Sequence, residues 1–144
     1  MRVFVPTLVL CALLFACSVK PEPLEYGVDA CHTCKMTLVD RKFGGEVVTT
    51  KGKIFKFDDV NCMVNFLNSG EVTERDVAYR LVVDYSTPEK LIAAGDAFYV
   101  KADEVRSPMA SGIAAFETEG AMRERLREWN GIYLTWGELV TEFK

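Results

Sequence analysis

Two stretches of this chain follow one plan, and that recurrence constrains its fold more than any other feature. At an offset of 59 residues, Phe57 falls on Phe116, Met63 on Met122 and Leu67 on Leu126, while Asp58 matches Glu117 as an acidic helix opener. Strand, strand and helix patterns surround each set in the same order. One such unit is too small to bury much core, so two are expected to pack together and leave a cleft between them. A small ligand or an ion would sit at that seam. The sequence therefore predicts an α+β fold of two small tandem ββαβ-type repeats, about 28–86 and about 90–144, in one domain spanning 28–144.

Within the first repeat, residues 37–40 read as a brief strand and the valine- and threonine-rich stretch 43–50 as a longer one. Lys51-Gly52-Lys53 makes a turn into a second arm ending at Phe57. Asp58 or Asp59 caps a helix running to about Asn68, with Val60, Met63, Val64 and Leu67 along one side. Residues 78–85 are expected to form a strand buried on both faces around Leu81-Val82-Val83. In the second repeat, strands are expected over 97–101 and 112–116, then an amphipathic helix over 117–129 stopped by Asn130-Gly131. A short strand at 132–134 and a helix over 135–143 complete the chain.

The N-terminus has a different character. Arg2 precedes an apolar run that closes on Leu14-Phe15-Ala16-Cys17. A charged start, a short apolar core and a small residue before the cut read as a secretory leader, 1–16, too short to span a bilayer. The cysteine that follows resembles a lipobox, making Cys17 the expected lipidation site and mature N-terminus. Ser18 at the next position is similar to lipoproteins of the outer membrane. Residues 17–27, with Pro21 and Pro23, are expected to form the lipid anchor and a flexible, extended tether. The chain carries a net charge of −4, and loss of Arg2 makes the mature protein more acidic still. That balance disfavours nucleic acid as a partner and favours a cation or a basic protein surface.

Cysteine usage then singles out one segment. Of the five cysteines, Cys11 leaves with the leader and Cys17 is taken by lipid, so Cys31, Cys34 and Cys62 remain. An odd number of thiols in an exported protein leaves one unpaired unless it is buried or metallated. Cys31-His32-Thr33-Cys34-Lys35-Met36 offers two thiols, the only imidazole of the chain and a thioether within six residues. Thiolates and thioethers are soft donors that prefer Cu(I). A bland reading, two spare thiols or a local disulfide with Met36 as core filler, stands beside the metal reading. Cys62 lies near a helix start, where the dipole lowers a thiol pKa; it is either a third ligand or a buried core residue. Met109, in a loop between Pro108 and Ala110, has no packing reason to be there and is a ligand candidate. Met63, with its counterpart Met122, is expected in the core. Asp58 and Asp59 lack a histidine partner, so capping explains them better than acid–base chemistry.

Together, Cys34-Lys35-Met36, the run Phe57-Asp58-Asp59-Val60-Asn61-Cys62-Met63, Tyr99-Val100 and the stretch from Met109 to Phe116 resemble the NosL family of nitrous-oxide reductase accessory proteins. The resemblance spans nearly all of the mature chain and agrees with the lipobox and the two ββαβ units. It implies a periplasm-facing copper lipoprotein that binds Cu(I) and delivers it toward nitrous-oxide reductase, in partnership with an ABC-type Nos membrane complex. The ligands it implies are Cys34, Met36 and Met109, with Cys31 and His32 next. Many members read Cys-Gly-Met where this chain reads Cys34-Lys35-Met36, which adds charge and bulk beside the site.

Two other classes compete. A thiol–disulfide oxidoreductase would use Cys31 and Cys34, with the first thiol at a helix N-terminus; the strand-like residues after the motif count against it. A structural zinc module would draw on Cys31, Cys34, Cys62 and His32, and closes with four ligands only if His32 joins all three thiols. No nucleophile–base pair, phosphate loop or nucleotide motif is present, so the chain does not read as an enzyme.

Overall fold

The computed structural model describes residues 19–143. The expected leader 1–16 and the lipidation candidate Cys17 lie outside the described residues. The strands are β1 (Gly45–Thr49), β2 (Ile54–Phe57), β3 (Val77–Val83), β4 (Leu91–Ala93), β5 (Phe98–Lys101), β6 (Ile113–Phe116) and β7 (Ile132–Leu134). The helices are α1 (Val60–Asn68), α2 (Glu119–Glu128) and α3 (Trp136–Glu142), with a 3-10 turn at Glu74–Asp76. The strands form two antiparallel sheets, ordered β2-β1-β3-β4 and β6-β5-β7. This is the α+β class. The connectivity β1-β2-α1-β3 gives the order β2-β1-β3, and β5-β6-α2-β7 gives β6-β5-β7.

Period-two alternation in the second sheet sorts its side chains between two cores. Tyr99, Ile113 and Ala115 join Val47, Phe55, Phe57 and Val82 of the first sheet, Met63, Val64 and Phe66 of α1, and Leu139 of α3. Val100, Ala114 and Phe116 point the other way, onto Met122 of α2 and Phe43. Both halves therefore share one core, so the first sheet is not completed without the second. Met63 and Met122 are both buried, as their periodicity predicts. Close packing of α1 on the first sheet is visible at Gly45, where a Cβ would meet the Leu81 carbonyl oxygen at 2.8 Å and the Met63 sulfur at 3.1 Å.

Several expectations are corrected. Residues 37–40 form no strand; a single bridge joins Thr37 to Ala30. Strand β3 is not buried on both faces: only Val82 and Val83 are, and Tyr79 is 41% exposed. The short β4 pairs with residues 81–83 alone, so the first half of β3 also lies on an open edge. Nothing in Leu91-Ile92-Ala93 announces that three-residue strand. Helix α2 opens later than expected, because Thr118 is its N-cap and accepts from the Ala121 amide through Oγ1 (3.3 Å). Glu117 instead pairs with Lys90, and its amide donates to Asp84 Oδ1. Met122 is the one fully buried residue of α2, whose outer face carries the Arg123–Glu119 and Arg125–Glu128 pairs.

From Glu22 onward, the segment expected as a tether lies against the first sheet. The Glu22 amide donates to Glu46 Oε1 (3.1 Å), Leu24 is buried, and the Tyr26 hydroxyl donates to the Phe43 carbonyl (2.9 Å). Lys56 Nζ bridges from β2 to Asp29 (2.7 Å). Glu46 is fully buried, and burial raises its pKa. Among the described residues, no helix is long and apolar enough to cross a membrane.

Candidate metal centre

The ligand-rich segment is a closed turn. Backbone bonds run from the Lys35 amide to the Cys31 carbonyl (3.0 Å) and from the Cys31 amide to the Met36 carbonyl (2.8 Å). The turn closes because Lys35 adopts the left-handed conformation, φ 65°. Glycine takes that conformation without steric cost, which accounts for a glycine suiting this position better than most residues. Lys35→Gly should keep the turn, whereas Lys35→Val, β-branched and strained at positive φ, should cost about 1–3 kcal/mol of stability in denaturant titration. An unchanged midpoint in Lys35→Val would show that the turn is not held in this conformation. The turn is fastened to the body by the His32 amide, which donates to the Lys56 carbonyl (2.8 Å), and by Thr33 Oγ1, which donates to the Cys62 carbonyl (2.9 Å).

This docking brings the turn against the N-terminus of α1. Cys31 and Cys34 of the turn, Cys62 of the first turn of α1 and Asp58 just before it offer donor atoms that all lie within 4.8 Å of one another. Cys31, Cys62 and Asp58 are buried, and Cys34 is partly exposed. All three cysteines are free thiols. Cys34 donates its S–H to Asp58 Oδ2 (3.3 Å), while Asp58 Oδ1 is buried with no hydrogen-bond partner. Three sulfurs and a carboxylate converging in the interior fit a metal ion.

Protonation in the cluster is uneven. The Cys31 thiol is held down to about 6, first because Cys62 donates to its sulfur, and then because the backbone amides of Cys34 and Asp58 face it; burial opposes them. The Cys62 thiol is driven upward, first by engaging Cys31 and then by burial. Burial is the leading cause that pushes Cys34 up to about 11. The cluster thus favours ionisation at Cys31 over Cys34 and Cys62, and a cation bound by all three would have to displace protons from the other two.

The two neighbouring aspartates divide the work. Asp59 is the N-cap of α1 and is fully buried. Its Oδ2 accepts from the Met109 amide (3.0 Å) and its Oδ1 from the Ser111 hydroxyl (2.7 Å). Ser111 Oγ lies 3.0 Å from Ser107 Oγ, which accepts from the Gly112 amide (3.2 Å). The loop of the second half is thereby pinned to the helix start beside the thiols. Capping explains Asp59 but not Asp58. Only one of two adjacent carboxylates can cap a helix, so the sequence signals that one of the pair is free for another role, and the fold makes that one Asp58.

The remaining candidates are placed as follows. Met36, two residues after Cys34, is 54% exposed, and Met109, whose amide is held by Asp59, is 36% exposed; neither is in the four-residue cluster. His32 stands outside the four-residue cluster: its Nε2 faces Glu71 Oε1 at 3.1 Å, and its ring packs edge-on against Phe55 and Phe66.

No curated protein matches this sequence. Among solved structures, a crystal structure described as the copper chaperone NosL from Shewanella denitrificans superposes with a TM-score of 0.70. It is 20% identical, and the match covers 84% of this chain and 96% of that one; at that identity the likeness shows the fold. The NosL family model matches residues 26–143, so the chain belongs to the NosL family.

Proposed function

We propose that this protein is a Cu(I) carrier, not an enzyme. The observation that carries the reading is the convergence of Cys31, Cys34, Cys62 and Asp58 at the start of α1, in a family whose structural neighbour is described as a copper chaperone. Sulfur donors hold Cu(I) at low coordination number. The two buried thiols give retention, whereas partly exposed Cys34 and the exposed methionines Met36 and Met109 give an acceptor somewhere to begin. Transfer then proceeds by ligand exchange, each acceptor sulfur displacing one donor, with no change in the oxidation state of the metal. Lys35 leaves a cation at the exit, which favours an acidic or sulfur-rich acceptor face. The resemblance to nitrous-oxide reductase accessory proteins makes that reductase, and an ABC-type Nos membrane complex, the proposed destination and partner.

The same reading includes a lipid anchor at Cys17 facing the periplasm, in the outer membrane. With residues 22–29 docked on the first sheet, only a few residues separate Cys17 from the body, so an anchored domain would stay close to the bilayer. The two ββαβ runs, with their matching strand orders and the buried pairs Phe57/Phe116 and Met63/Met122, support descent from a duplicated unit. A redox role is less well supported, because Cys31, the thiolate, is fully buried and opens a turn rather than a helix.

The test is an anaerobic titration of the reduced protein with Cu(I) against a competing chelator. One tightly held Cu(I) per chain is expected, weakened in Met109→Ala and nearly lost in Cys34→Ser. Full affinity in Met109→Ala would confine the site to the first half. No Cu(I) binding, with ready cycling of a Cys31–Cys34 disulfide, would replace the carrier reading with the redox one.

A further inference from the structure

The cluster contains one donor that a cuprous ion does not need. Cu(I) is satisfied by two or three soft ligands, yet a buried carboxylate stands among the thiols, with Oδ1 unpartnered. An orphaned buried acceptor costs about 1–3 kcal/mol, and capping does not account for it, since Asp59 caps α1. We propose that Cys31, Cys34, Cys62 and Asp58 form a complete four-coordinate site for Zn(II), and that Asp58 is the ligand that sets the balance between divalent and cuprous ions. The proposal rests on reading the thiol cluster as a metal site, and it adds a second metal class to that site.

Three observations support it. In the first place, the number of donors is right: structural zinc takes four, and a three-sulfur, one-oxygen set is available without His32. His32 is committed to Glu71, so the fourth ligand that the sequence left to an awkward neighbour of Cys31 is supplied by Asp58 instead. Geometry is the next support. Zn–S bonds of about 2.3 Å and Zn–O bonds of about 2.0–2.2 Å put tetrahedral donors roughly 3.5–3.8 Å apart. The four atoms already lie within 4.8 Å of one another, and Cys34 Sγ is 3.3 Å from Asp58 Oδ2. Closing around an ion needs a contraction of about one ångström, within reach of side-chain rotation. The last support is charge. Three thiolates and a carboxylate in the interior are better neutralised by a dication than by a monocation, and an anion left uncompensated there is costly. The amides of Cys34 and Asp58, which face the Cys31 sulfur, offset part of the remainder.

The experiment uses the whole reduced protein, freed of metal and titrated anaerobically with Co(II), whose ligand-field bands report coordination, then with Zn(II) against a chromophoric chelator. Intense tetrahedral bands with sulfur-to-cobalt charge transfer are expected, abolished by one equivalent of Zn(II). Asp58→Asn and Asp58→Ala should lower Zn(II) affinity at least about tenfold more than they lower Cu(I) affinity, and Cys62→Ser should weaken both. Weak octahedral Co(II) bands, or equal losses for the two metals in both Asp58 variants, would overturn the proposal while leaving Cu(I) carriage standing. Zinc binding that depends on Asp58 in a protein with no affinity for Cu(I) would do the reverse.

Discussion

Replacing Cys31 by serine is expected to lower Cu(I) affinity by at least about 100-fold while leaving the fold intact. Partners of a metal ligand already change affinity 10–100-fold when removed, and Cys31 is proposed as a ligand itself. It is fully buried, it receives the Cys62 S–H, and two backbone amides face its sulfur. Serine fills nearly the same volume and can accept those bonds, so little packing is lost. What it lacks is a polarisable anion at neutral pH. The same feature is measurable without metal. Ultraviolet absorbance of the reduced protein should show one thiolate appearing near pH 6, absent in Cys31→Ser, with Cys34 ionising only toward pH 11. The sign for stability follows from linkage. A thiol whose folded pKa lies below its unfolded value contributes stability above the unfolded pKa, and that contribution is lost as pH falls toward 6. Cys34 acts oppositely: its folded pKa is raised, so its contribution is lost as pH climbs toward 11. If Cys31→Ser binds Cu(I) as tightly as the parent, the ion sits outside the buried cluster, on Cys34, Met36 and Met109.

How much of this could be read from residues alone varies with the kind of signal. Elements fixed by local chemistry are where the sequence puts them: α1 begins at an aspartate cap and ends at Asn68, and the hairpin turns at Gly52. Elements fixed by their neighbours are not. Burial of β3 depends on what packs over its two faces, and no residue of β3 encodes that. The three thiols and one carboxylate of the cluster illustrate the same division. Three of them were marked by type, since thiols in an odd number need an explanation. Asp58 was hidden behind a helix signal shared with Asp59, and the two part company only when the turn from Cys31 to Lys35 folds back onto α1. His32 shows the converse, a residue with the right chemistry whose ring is held by Phe55, Phe66 and Glu71 outside the cluster.

Asp59→Ala is expected to destabilise the protein by about 3–5 kcal/mol, a large share of the stability of a domain this size. Loss of an N-cap accounts for about 0.5–2 kcal/mol. The larger part comes from the second half, where the Met109 amide and Ser111 hydroxyl lose a charged acceptor in a place closed to water. Asp59→Asn keeps an acceptor of the same shape and should cost only about 1–2 kcal/mol. Urea unfolding of the metal-free protein checks both, and a loss under about 1 kcal/mol in Asp59→Ala would mean the loop is held by other contacts. The stronger consequence concerns coupling. Asp59 is not itself a proposed ligand, yet it holds the Met109 loop beside the thiols. If the two halves share the ion, Asp59→Asn should weaken Cu(I) binding in the parent but add little in Met109→Ala, because the second change has already removed what Asp59 positions. Additive losses would separate the cap from the site. The non-additive outcome would make one buried aspartate the joint between the stability of the domain and the geometry of its metal centre.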